Sequence, residues 1–333
     1  MKYLKSILIL VFVVITFTLV GCASTKDSSP QLNNKDTKTF DAPIFDPVVK
    51  TDNENDDFNI YIMHTSDTKS NFFETPSSIG YSKLATIVKE GRKLTEYNLL
   101  LDAGNSLSGS LISDITKGAA AAVLMNAVGY DAIALNGDDF KYPINELEKF
   151  SYNTKMKILS LNVLGSDDKF QSYQIYTFDN LDIAVIGLTK PIKGVTNIND
   201  NIINSLQDVV DNVHELADFV VVLGSFGTTS DFSSTMICQN INGIDLFIAG
   251  SNKDALEESI SVNDTLIVTS GENLNSIGLV ELKVVNKKVV DVIAKVIKAD
   301  ELNLSDIKKD ENIEELFSLG QSLLKAYNED VKL

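Results

Sequence analysis

Tryptophan is absent from this chain of 333 residues, arginine occurs once, as Arg92, and cysteine and histidine occur twice each. Each shortage removes a class of explanation. Two cysteines cannot build the disulfide framework of a small stapled fold. Two histidines, His64 and His214, leave any metal centre dependent on carboxylates. Positive charge is also scarce: 29 Lys and Arg against 46 Asp and Glu give a net charge of −17. A surface this acidic repels phosphate backbones, so no nucleic-acid partner is expected. The longest apolar run, residues 7–20, is too short to span a bilayer comfortably.

That run is preceded by Lys2 and Lys5 and ends in Leu19-Val20-Gly21-Cys22. A short positive start, an apolar stretch and a small-residue end have the layout of a secretory signal. The closing residues resemble the bacterial lipobox. The resemblance implies removal of residues 1–21 and a lipid on Cys22. It also implies export, with the remaining chain anchored on the extracytoplasmic side of a membrane. An uncleaved anchor helix is the other reading, and it places the chain on the same side. Residues 22–57 are rich in Ser, Thr, Asn, Asp and Lys. They cannot bury enough apolar surface to offset ordering entropy, so they read as a tether. With Cys22 lipidated, Cys238 has no partner and reads as a buried, inert thiol.

Residues 58–300 form the expected folded domain. Residues 301–333 close the chain, with an amphipathic helix at 311–327. Apolar runs at 58–63, 98–102, 131–135, 157–162, 183–188, 219–223 and 246–249 read as strands, several of them covered on both faces. Helical periodicity falls at 80–93, 116–128, 144–151 and 202–217. Three more strands, 266–269, 277–285 and 289–296, read as consecutive and antiparallel. Alternating strands and helices make an α/β domain, whose chemistry gathers in loops beyond strand C-termini.

Those loops are short and polar. They read His64-Thr65-Ser66-Asp67-Thr68-Lys69, Asp102-Ala103-Gly104-Asn105-Ser106 and Asn136-Gly137-Asp138-Asp139-Phe140-Lys141-Tyr142, then Gly224-Ser225-Phe226-Gly227 and Gly250-Ser251-Asn252-Lys253. One or two polar side chains per loop is how a two-metal phosphoesterase arranges its ligands. Between the loops stand Met125-Asn126-Ala127-Val128-Gly129-Tyr130-Asp131, Ile186-Gly187-Leu188-Thr189 and Gly243-Ile244-Asp245. In this order and spacing the pattern resembles the calcineurin-like metallophosphoesterase domain of bacterial 5'-nucleotidases. The resemblance implies a four-layer α/β/β/α sandwich; a single domain is expected here, a departure from the 5'-nucleotidases, which usually carry a second domain that holds the nucleoside base.

It also implies side chains that hold two divalent metals. Carried over position by position, the ligand positions are Asp67, Lys69, Asn105, Gly137, Ser225, Ser251 and Lys253. The His-Asp pair that assists the leaving group falls on Asp138 and Lys141. Only Asp67 matches a family ligand. Metals need anionic carboxylates or neutral imidazoles, and lysines repel them. No metal cofactor and no catalytic residue are therefore expected. The expected protein is a degenerate 5'-nucleotidase-like lipoprotein that binds rather than hydrolyses. His64 is expected to make a structural hydrogen bond, and His214 to lie on the surface.

Lys69, Lys141 and Lys253 are expected to converge on the altered site, facing Asp67, Asp138 and Asp139. They would form ion pairs worth about 0–1 kcal/mol each if exposed, or a pocket for a small anion. One alternative is a divergent metal-dependent phosphohydrolase with a single cation at Asp67, Asn105 and Asp138. The other is a scaffold for a protein partner.

Overall fold

The computed structural model describes residues 57–164, 170–196 and 202–331. The expected signal, Cys22 and all of the tether except Asp57 lie outside the described residues. The continuous apolar runs form the parallel centres of two six-stranded sheets. In the first, β1 (Phe58–Thr65), β2 (Asn98–Asp102), β3 (Ala132–Ala134) and β4 (Lys157–Leu159) are parallel. In the second, β6 (Leu181–Gly187), β7 (Phe219–Gly224), β8 (Leu246–Ala249) and β10 (Thr265–Val268) are parallel. Two antiparallel strands, β5 (Tyr173–Phe178) and β9 (Ile260–Val262), form the margins of the second sheet. The first sheet is extended by β11 (Ser276–Val285), antiparallel to β1, and by its hairpin partner β12 (Lys288–Lys298).

Strand alternation builds the layers. Ile60 and Ile62 of β1 face the second sheet, where they meet Val221 and Leu223 of β7 in a shared core. Tyr61 and Met63 face the other way, beneath α1 (Gly80–Leu94), α3 (Ala119–Val128) and α4 (Ile144–Asn153). Val220 and Val222 pack beneath α5 (Ile202–Val213) and α6 (Ser234–Asn240). Helices, sheet, sheet and helices make the four-layer α/β/β/α sandwich. Burying one Val, Leu or Ile side chain stabilises by roughly 1.5–3 kcal/mol. Exposed ion pairs contribute about 0–1 kcal/mol each, so these layers hold the fold.

Two sequence expectations change. The single helix at 116–128 is two, α2 (Leu111–Thr116) and α3, because Lys117 and Gly118 both turn to positive φ (51° and 87°). The strand expected at 266–269 is β10 and pairs with β8, so the chain changes sheets before β11. β5, β9 and α6 stand where no element is expected from the sequence, being short or without a clear period. Cys238 lies on α6, ahead of β8. It is buried, and burial pushes its thiol up to about 12. The closing helix α7 (Glu311–Val331) packs on the core of the first sheet, where Ile313 and, just before the helix, Ile307 are buried.

Candidate functional site

The loops after β1, β2, β3, β7 and β8 meet at one end of the sandwich, and two buried carboxylates brace them from below. Asp102 at the end of β2 accepts from Thr65 Oγ1 (2.7 Å), Ser106 Oγ (3.0 Å) and Gly104 N–H (2.9 Å). Asp139 accepts from the backbone N–H groups of Asn105 (2.8 Å), Leu107 (2.9 Å) and Asn136 (3.0 Å). Both are fully buried, and burial raises them to about 8 and about 6. The loops are also laced to each other: Asp67 N–H donates to Gly104 O and Lys69 N–H to Asn105 O.

Above this base stand the ligand positions. Asp67, Asn105 and Ser251 all adopt positive φ, at 48°, 59° and 61°. Such backbone costs about 1–2 kcal/mol per residue and persists where neighbours over-determine it. Here the neighbours are one another. Asn105 Nδ2 donates to Asp67 Oδ1 (2.7 Å) and to Ser225 Oγ (2.8 Å). Ser251 N–H donates to Asp67 Oδ2 (2.6 Å). Ser225 Oγ also lies 3.2 Å from Asp67 Oδ1 and 2.7 Å from Ser251 Oγ. Asp67 is buried, which raises its pKa, while the bonds from Asn105 and Ser251 lower it.

Gly137 makes this arrangement possible. A Cβ there would stand 2.5 Å from Asn105 Oδ1. With the glycine, that oxygen is free to accept Asp138 N–H at 3.1 Å. The amide is thus fixed from both sides, with its NH2 aimed into the site and its carbonyl aimed away.

The lysines do not face the acids expected of them. Lys69 pairs with Glu272, and Lys141 binds Asp114 at 2.8 and 2.9 Å. Lys253 is exposed, and Asp138 is exposed. Asp67 and Asp139 are satisfied by amides and hydroxyls instead. Glu272 and Asp114 were missed in the sequence because they lie 203 and 27 residues from their partners, with no local pattern. His64 is fully buried and held near pKa 3 by desolvation, and its Nδ1 has no hydrogen-bond partner. The ring packs against Gly278 of β11. His214 is exposed, as expected, and binds Gly243 O at 2.7 Å.

Two divalent metals do not fit this donor set. Asp67 supplies the one carboxylate, and both its oxygens already accept hydrogen bonds. The position that should bridge two cations presents N–H donors. Among the described residues, no three His, Cys, Asp or Glu side chains are grouped to hold a metal.

No family model matches the chain. Bovine 5'-nucleotidase is 28% identical over 221 residues, which is 59% of this chain and 38% of that protein. The trifunctional nucleotide phosphoesterase protein YfkN of Bacillus subtilis is 25% identical over 324 residues, 83% of this chain and 21% of that protein. The chain thus spans well under half the length of these relatives. Among solved structures, the calcineurin-like phosphoesterase YfkN from Bacillus subtilis aligns with a TM-score of 0.68 at 17% identity, covering 81% of this chain and 99% of that one. The 5'-nucleotidase precursor from Thermus thermophilus also gives 0.68, at 19% identity, covering 81% and 59%. The fold is that of the calcineurin-like metallophosphoesterases, and the sequence relatives are 5'-nucleotidases.

Proposed function

We propose that the protein is a membrane-tethered binding module built on a 5'-nucleotidase-like fold, without two-metal hydrolysis. The observation that carries this is the orientation of Asn105. Its NH2 group occupies the direction from which a bridging carboxylate would reach two cations. Without metal, no hydroxide nucleophile forms at neutral pH. A single-cation hydrolase gains no support, because Asn105 Oδ1 is taken by Asp138 N–H. An anion pocket is weakened by the ion pairs of Lys69 and Lys141. Anchoring rests on Cys22 and its lipobox-like context.

The test is elemental analysis of the purified protein for Mn, Zn, Fe, Mg and Ca, with phosphatase and nucleotidase assays under added metals. The expected result is no stoichiometric metal and no stimulated turnover. Metal-stimulated turnover that Asp67→Ala abolishes would overturn the reading. A rise in melting temperature with phosphate or AMP, lost in Lys69→Ala, would restore the anion pocket. Labelling with radioactive palmitate, lost in Cys22→Ala, tests the anchor.

A further inference from the structure

The chain contains two Asn-Gly steps, Asn136-Gly137 and Asn242-Gly243, and the fold treats them in opposite ways. Asn136 is fully buried. Its Nδ2 donates to Ala103 O (3.2 Å) and Leu188 O (3.1 Å), and its Oδ1 accepts Lys190 N–H (2.8 Å). Asn242 lies on an exposed turn between α6 and β8. Only its backbone is held: Gln207 accepts from Asn242 N–H (3.0 Å) and donates to Asn242 O (3.1 Å). Among the described residues its side-chain amide has no partner, and neither has Gly243 N–H.

We infer that Asn242 is a site of spontaneous deamidation and that the fold silences the same reaction at Asn136. The geometry leaves both reacting groups at Asn242 open. The Gly243 backbone nitrogen, after losing its proton to solvent hydroxide, attacks Cγ of Asn242. The N–Cγ bond forms, the Cγ–Nδ2 bond breaks, and the amide nitrogen takes a proton from water and leaves as ammonia. Water then adds to either carbonyl of the cyclic imide and opens it to aspartate or isoaspartate. Gly243 has no Cβ to obstruct the attack. The bond from Gln207 to Asn242 O draws electron density from the peptide and eases loss of the Gly243 proton. At Asn136 the amide is caged by three hydrogen bonds, and the reaction must wait for local opening.

The product adds a negative charge beside Asp211, which accepts from Gln207 Nε2 at 2.8 Å. Isoaspartate also lengthens the main chain and breaks the Gln207 clamp. The turn precedes β8, while Ser251 follows it, so the change falls at the end of the sheet remote from the candidate site.

The test is peptide mapping by mass spectrometry after incubating the purified full chain in mildly alkaline buffer, with isoaspartyl methyltransferase labelling. Asn242 is expected to convert to aspartate and isoaspartate, with Asn136 at least about tenfold slower because its caging bonds must first open. In denaturant the two sites are expected to convert at similar rates. Asn242→Gln, which would close a larger ring more slowly, is expected to remove the label. An intact Asn242 in the folded protein, or equal conversion of both sites there, overturns the inference.

Discussion

The two tiers of the site loops solve the same problem by different chemistry. The lower tier, Asp102 and Asp139, is fully buried and consumes backbone and hydroxyl donors from the first sheet alone, across its loops. The upper tier, Asp67, Asn105, Ser225 and Ser251, joins the first sheet to the second through side chains. The difference teaches that loop shape here is set from below. The frame therefore does not rest on the upper tier.

The largest expected effect tests that claim directly. Asp139→Ala strands three buried N–H groups and is expected to cost about 3–5 kcal/mol, read as a drop in the urea midpoint. Asp67→Ala removes an upper-tier acceptor and is expected to cost only about 1–3 kcal/mol, with no change in metal content. Equal losses would erase the distinction between tiers. Gly137→Ala is expected to cost about 1–3 kcal/mol through its clash with Asn105 Oδ1. Asn105→Ala in the same chain should recover part of that loss, so a double-mutant cycle reads the coupling.

A smaller effect concerns pH. Burial raises folded Asp102 to about 8 from an ordinary 3.8. Between those values the folded protein holds a proton that the unfolded chain has released, so stability falls as pH rises. His64 has the opposite sign: with its folded pKa near 3 and an ordinary 6.5, its contribution is complete above 6.5 and is lost below. Asp139, at about 6, has finished its change by then. From pH 6.5 to 8 the Tm is therefore expected to fall, and Asp102→Asn should flatten that slope. An unchanged slope would place the buried proton elsewhere.

Much of this was legible in the chain. The parallel strands announce themselves because both of their faces are buried, as in the run Phe219 to Leu223. The loops of the site follow from strand ends. The three-residue β9 and the break at Lys117-Gly118 were not legible, since neither alters the hydrophobic pattern. The partners of the lysines were illegible for a different reason. An ion pair such as Lys69 with Glu272 is decided by which loops the fold brings together. The orientation of the Asn105 amide needed the glycine at 137 to be seen in space.

The pairing of β1 with β11 reaches beyond the site. Asn59 donates to Glu281 across 222 residues of sequence. The first sheet is therefore incomplete until nearly the whole domain is available, and local contacts cannot close it early. During synthesis β1 waits with one edge bare. Such an edge invites wrong pairing, so this domain should depend on holding factors until its last hairpin arrives.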